Sequence, residues 1–223
     1  MTHHFYNDWF TYEFNDDPNQ KIRNKKSDIF NVKFSPEDVV LPFREAIRYN
    51  NQKIKESAGS KPIVLLLSGG HDSHYAAKTM AEDGVDFTAV TFDYLHGRNT
   101  WEVEQATILC KKYNIKQTIV PLDMLALFET GEYKKYADIT HCNTMWNYIY
   151  MHGIKDLDAF IVTGQGDQDV VYKDNKRSWK FGEQILSLLT YASIINKPGL
   201  VRYWSYTDIL FYSTYYEMFE GMK

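Results

Sequence analysis

The chain is poor in cysteine, in long apolar runs and in net charge. Its two cysteines, Cys110 and Cys142, are too few for a disulfide framework or a thiolate metal site. No run of eighteen apolar residues occurs, and no cationic segment leads into an apolar core at the start. Neither a membrane span nor a secretory leader is therefore expected. Against 25 Lys and Arg stand 29 Asp and Glu, a formal net charge of −4 that gives no general attraction to nucleic acid. Repeats and low-complexity tracts are also missing. The expectation is a soluble, cytoplasmic chain: one domain with appendages, with no membrane partner and no nucleic-acid partner. Aromatic residues, by contrast, are plentiful, with 17 Tyr, 13 Phe and 5 Trp in 223 residues, and they crowd towards both ends.

The most informative stretch is Lys61 to Ser73, KPIVLLLSGGHDS. Ile63 to Leu67 is a short apolar run opened by Pro62 and closed by Ser-Gly-Gly, as a buried central parallel strand would be. Two adjacent glycines let the backbone approach a ligand with no Cβ in the way. The helix expected next offers unpaired N–H groups and a positive dipole end, which favour phosphate. Asp72 would repel a polyphosphate unless a divalent cation lay between them, and Mg²⁺ is commonly held by one or two carboxylates plus phosphate oxygens. The stretch therefore points to a nucleotide, its phosphate chain and magnesium.

Ser68 to Ser73, SGGHDS, resembles the SGGxDS signature of the PP-loop ATP pyrophosphatases of the adenine nucleotide alpha hydrolase-like superfamily. That group includes asparagine synthetase, NAD synthetase, GMP synthetase, tRNA thiolases and the deazaguanine-forming synthase of queuosine biosynthesis. The resemblance implies ATP cleavage between the α and β phosphates, adenylylation of a substrate and release of pyrophosphate. No GxxxxGK[ST] loop is present. The resemblance spans about residues 61–172 and is nearest to the synthetase domain of asparagine synthetase, in the compact form carried by bacteriophages.

The remaining pattern alternates. Strands are expected at Phe87–Tyr94, Ile115–Leu122 and Asp158–Thr163, and helices over about 36–56, from Tyr75 to near Gly84, from Trp101 to Tyr113, from Asp123 to Phe128 and over 142–152. Ser35 is read as an N-cap, with Pro42 disturbing the first of these helices. The helix from Trp101 is expected to bury Trp101, Val103, Ala106, Leu109, Cys110 and Tyr113. This order implies an α/β fold, a three-layer sandwich around a doubly wound, mainly parallel, Rossmann-like sheet. Phe10, Tyr12 and Phe14 read as one strand of a small N-terminal hairpin, with the basic run Lys21–Lys26 on its rim. A helix over 181–196, an extended piece at Leu200–Trp204 and a last helix from Ser205 to about 219 close the chain. The expected partition is 1–57 for the N-terminal hairpin and helix, 58–180 for the ATP-binding domain and 181–223 for a helical tail.

Ligands of such sheets bind at the carboxyl ends of the strands. There Thr163 to Asp169, TGQGDQD, forms a second glycine-bearing corner. It is similar to the S-G-E-G-x-D-E segment of asparagine synthetase, with Gln165 in place of a catalytic Glu and Gln168 in place of a metal-binding Asp. Asp167 and Asp169 flank Gln168. Asp72, Asp167 and Asp169 are the candidate Mg²⁺ ligands, and Asp72 and Asp169 the candidate catalytic carboxylates. ATP is expected on Ser68, Gly69, Gly70, Asp72, Ser73, Gly166 and Lys173. The resemblance adds Leu67, Thr91 and Phe92 around adenine, with Thr163 and Gly164 closing the other side. Asp93 is either a ribose or metal ligand or a turn residue. Lys173, Lys176, Arg177 and Arg202 are candidates for the pyrophosphate. Cys110 reads as core, and His3-His4 as terminal decoration. The expected partner is a small-molecule substrate activated by ATP. Because few residues follow Asp169, the expectation includes a second copy of the chain, as a homodimer, or another protein that completes the site.

Overall fold

The computed structural model describes residues 9–20, 22–34, 39–141, 145–165, 169–173, 176–180, 191 and 199–220. Strands β1 (Phe10–Phe14) and β2 (Phe30–Phe34) form an antiparallel pair in which Phe10 faces Phe34 and Phe14 faces Phe30. Five strands then make one parallel sheet: β3 (Ile63–Leu66), β4 (Thr88–Asp93), β5 (Lys116–Pro121), β6 (Phe160–Thr163) and β9 (Gly199–Arg202). Their order is β5-β4-β3-β6-β9. A second antiparallel pair, β7 (Asp169–Lys173) and β8 (Lys176–Lys180), lies between β6 and β9 in the chain. The helices are α1 (Phe43–Ala58), α2 (His71–Glu82), α3 (Thr100–Tyr113), α4 (Met124–Glu129), α5 (Tyr133–Thr140), α6 (Met145–Ile154) and α7 (Asp208–Glu220).

Alternation along the strands divides the core in two. Ile63, Leu65 and Leu67 face one side, where they pack with Ile47 and Ile54 of α1, Ala76 and Met80 of α2, Leu109 of α3 and Leu210 of α7. Val64 and Leu66 face the other, with Leu127 of α4, Tyr136 of α5 and Tyr148 and Met151 of α6. The α/β fold with a sheet covered on both faces is thus present. The chain steps outward from β3 to β4 and β5, then returns to the other side of β3 for β6. That reversal leaves a crevice at the carboxyl ends of β3 and β6.

The structure corrects several boundaries. Helix α1 begins at Phe43, not near residue 36, and Pro42 sets it up: its carbonyl accepts from the N–H of Glu45 and Ala46. A fixed φ is an asset at a helix start and an obstacle only further in. Trp101 is not buried but 62% exposed, because α3 turns its Ala106, Leu109 and Cys110 side inward. Helix α5 and the β7–β8 pair were not expected. The extended piece at 200–204 is a true sheet strand, β9, paired in parallel with β6. Ser35, Cys142 and the helix expected over 181–196 lie outside the described residues, apart from buried Tyr191.

Trp9, just before β1, packs against α7. The Trp9 indole N–H donates to the Ser205 carbonyl at 3.2 Å, and its ring lies 5.0 Å from Phe211. Within the basic run, Arg23 donates to the carbonyls of His141 and Lys26, so it is docked on the protein.

Candidate nucleotide-binding site

The corner after β3 is built from its own hydroxyls. The Ser68 N–H donates to Ser73 Oγ at 3.3 Å, the Gly70 N–H donates to Ser68 Oγ at 3.3 Å, and Ser73 Oγ donates to the Gly70 carbonyl at 3.1 Å. These short contacts hold the loop against the first turn of α2. Gly69 sits at φ +82, and a Cβ there would lie 2.2 Å from the Glu102 carbonyl oxygen of α3. Only glycine satisfies both the left-handed backbone and this approach.

The second corner meets the first. A Cβ on Gly164 would lie 2.4 Å from Ser73 Cα and 2.5 Å from Ser73 Cβ, so the loop after β6 rests on the start of α2 through a bare glycine. The two corners thereby share one cavity of about 430 Å³. Its lining takes Leu66, Leu67, Ser68, Gly70, Asp72 and Ser73 from the first corner and Thr163, Gly164 and Gln165 from the second. Val90, Phe92 and Tyr94 add the wall from β4, and Tyr150 adds a ring from α6.

Asp72 is exposed at the cavity wall, in the first turn of α2. Thr163, only 3% exposed, has a buried hydroxyl without a hydrogen-bond partner among the described residues. A buried hydroxyl left unmatched beside a cavity is a group that a ligand completes. Among the described residues that line the cavity, none is Lys or Arg. Burial, then the charges of His71, Lys112 and Lys78, holds the nearby His74 below the usual imidazole range, so it supplies no cation. Among the described residues, the groups that suit negative charge brought to this cavity are the loop N–H groups and the α2 dipole, with a cation on Asp72. Asp72 fits a magnesium ligand of the kind that phosphate oxygens complete. The described residues contain no cluster of three or more metal-ligating side chains.

Two expected residues fall outside the lining. The Thr91 side chain is buried and accepts from the Gln117 amide at 3.1 Å, and Asp93 accepts from the Leu95 N–H at 2.9 Å. The cause is the period of the strand: Val90, Phe92 and Tyr94 face the cavity, so the residues between them face away. Asp93 makes the hydrogen bond of a turn residue. It supports Leu95 and His96, which both adopt positive φ. Gly166 and Asp167 lie outside the described residues. Asp169 and Lys173 begin and end β7, but their side chains are not described, and the same holds for Lys176 and Arg177 on β8. Arg202 ends β9 and is buried. Cys110 is core, its thiol pushed up to about 11 by burial.

Tyr94, Asn99, Glu102 and Tyr150 line the cavity and were missed. Period two carried from Phe92 would have found Tyr94. Asn99 reads as an ordinary helix cap. Instead its amide bridges the β4 end, donating to the Phe92 carbonyl and accepting from the Tyr94 N–H, both at 2.8 Å.

Residues 62–146 match the family model "Queuosine biosynthesis protein QueC". The 7-cyano-7-deazaguanine synthase of Rickettsia bellii is 42% identical over 67 residues, which cover 30% of this chain and 29% of that protein. The synthase of Rickettsia rickettsii is 37% identical over 65 residues, 29% of this chain and 28% of that protein. The chain thus matches less than a third of the length of these curated relatives. Among solved structures, the NH3-dependent NAD synthetase of Campylobacter jejuni superposes with a TM-score of 0.41 at 16% identity, over 56% of this chain and 58% of that one. The glycine corner after β3 and strands β3, β4 and β5 of the parallel sheet lie within the matched residues, so this part of the chain is similar to the QueC family.

Proposed function

We propose that this chain is an ATP pyrophosphatase that transfers AMP to an oxygen of a deazapurine-type base, releasing pyrophosphate and readying that carbon for nitrogen. The observation that carries the reading is the contact of Gly164 with Ser73, which joins two strand-end corners in one cavity. The QueC match supports the nucleobase as acceptor.

In this reading the Ser68–Ser73 corner and the start of α2 take the phosphates, and Thr163 and Phe92 take the nucleoside. Asp72 would hold Mg²⁺, and Asp167 and Asp169 are the further candidates. The ion would supply positive charge for the departing pyrophosphate. The substrate oxygen attacks the α-phosphorus, the bond to the β-phosphate oxygen breaks, and pyrophosphate leaves. Asparagine formation is the weaker reading, since the Gln165 amide at the cavity wall cannot move a proton at neutral pH.

The test is incubation with ATP labelled at the α-phosphorus, Mg²⁺ and a panel of 7-substituted deazapurines bearing carboxylate or amide groups. Labelled AMP with unlabelled pyrophosphate is the expected outcome. ADP as the sole product would overturn the reading.

A further inference from the structure

The Glu102 carboxylate belongs to neither glycine corner. It belongs to the first turn of α3, and its own backbone carbonyl lies against Gly69, which fixes its position relative to the glycine corner. It lines the cavity, is half-buried, and has no ion pair or side-chain hydrogen bond among the described residues. A triphosphate seated at Ser68–Ser73 is repelled by a carboxylate unless a cation bridges the two, a place that Asp72 already fits. The ligand portion that faces Glu102 is therefore expected to present N–H or O–H groups.

We propose that Glu102 is the specificity-determining residue for the acceptor base, accepting two hydrogen bonds from the ring N–H and the exocyclic amino group of a guanine-type edge. This rests on the nucleobase reading above and names the residue that selects the base. A carboxylate presents two acceptors side by side, and a guanine-type edge presents two donors at the same spacing. An adenine edge offers one donor beside a ring-nitrogen acceptor, which would face the second carboxylate oxygen unfavourably. The surrounding groups suit a flat ring. Tyr94 and Tyr150 line the cavity beside Phe92, the Tyr150 ring meeting that of Phe92 edge-on with centroids 6.4 Å apart. Burial first, then the charges of Tyr150 and Glu102, raises the Tyr94 phenol far above its ordinary value, which places these three groups as neighbours and keeps the phenol neutral.

The experiment is equilibrium binding by calorimetry, which needs no turnover. The probes are 7-deazaguanine, 7-deazahypoxanthine (the same ring without its amino group) and Mg-ATP, each against the wild type, Glu102→Gln and Glu102→Asp, with melting curves for all three proteins. The wild type is expected to bind 7-deazaguanine at least tenfold more tightly than 7-deazahypoxanthine. Glu102→Gln should erase that preference with Mg-ATP affinity held within twofold, and Glu102→Asp should keep part of it. A preference that survives Glu102→Gln overturns the proposal, as does a wild type that binds neither base or both equally. An equal loss of Mg-ATP affinity in Glu102→Gln also overturns it, by assigning the carboxylate to the ribose or the metal. Should the preference behave as expected while labelled ATP yields no AMP, the activity falls and the assignment of Glu102 stands.

Discussion

Two glycines show how single residues set this site. Gly69 is fixed by a left-handed φ together with the Glu102 carbonyl, Gly164 by contact with Ser73 alone. Because the atoms opposing a new methyl at residue 164 are backbone and Cβ, they cannot swing aside. Gly164→Ala should cost about 1–3 kcal/mol in urea unfolding, the usual scale for overpacking. It should also weaken ATP binding at least tenfold, because the two corners must part. Asp72 is the opposite case. It is exposed and makes no hydrogen bond or ion pair among the described residues, so removing its charge leaves the packing intact. Asp72→Asn should unfold like the wild type yet lose at least about a hundredfold in pyrophosphate release, the scale of one lost electrostatic stabiliser. Unchanged turnover in that variant would remove Asp72 from the reaction. The glycines, the serines and Asp72 were legible in the sequence because the motif is local. Thr91 and Asp93 fall outside the cavity lining because strand alternation, which the motif does not carry, turns their side chains away.

Among the helices, the tie between α1 and the end of α2 is the feature that pH can read. The Arg44 guanidinium donates to both Asp83 oxygens at 2.8 and 2.5 Å, and the Asn51 amide donates to the same carboxylate at 2.7 Å. Burial alone would raise the Asp83 carboxyl, but these hydrogen bonds and the charges of Arg44 and Arg48 outweigh it and hold it below the usual range. A carboxylate lowered in the folded state stabilises above its unfolded pKa of about 4, and that stabilisation is lost as pH falls through the folded value. Asp83→Asn should therefore cost about 1–2 kcal/mol at pH 7, kept modest because Arg44 remains one-third solvated. The gap between wild type and variant in urea unfolding should shrink below pH 4. A gap that stays constant from pH 7 to pH 3 would mean that Asp83 acts through packing rather than charge. This tie was invisible in the sequence, because Arg44 and Asp83 are distant in the chain and each reads as a surface charge. Helix α5 was missed for a related reason: YKKYADIT is short, and Gly131 just before it reads as a stop. The strands β3, β4 and β6 were readable because apolar runs buried on both faces carry a strong local signal.

At the scale of the molecule, sheet order decides where a ligand sits, and one measurement tests that against every local argument. The chain reverses between β5 and β6, so β3 and β6 become neighbours and their two following loops face each other. No local pattern encodes that adjacency. The alternation of strands and helices implies it only through the handedness of the crossovers. A nucleotide bound across both corners contacts the folded chain alone, so it must stabilise folding by mass action. At a hundred times its dissociation constant, Mg-ATP should add about 2.7 kcal/mol, which for a chain of this size raises the melting temperature by about 5–10 °C. Removing magnesium with a chelator should shrink the rise, because the carboxylates at the corner then repel the phosphates without a bridging ion. Asp72→Asn should be less sensitive to the chelator than the wild type, since it has less charge to bridge. A melting temperature unmoved by ATP at millimolar concentration, with and without magnesium, would show that the cavity between the corners holds no nucleotide.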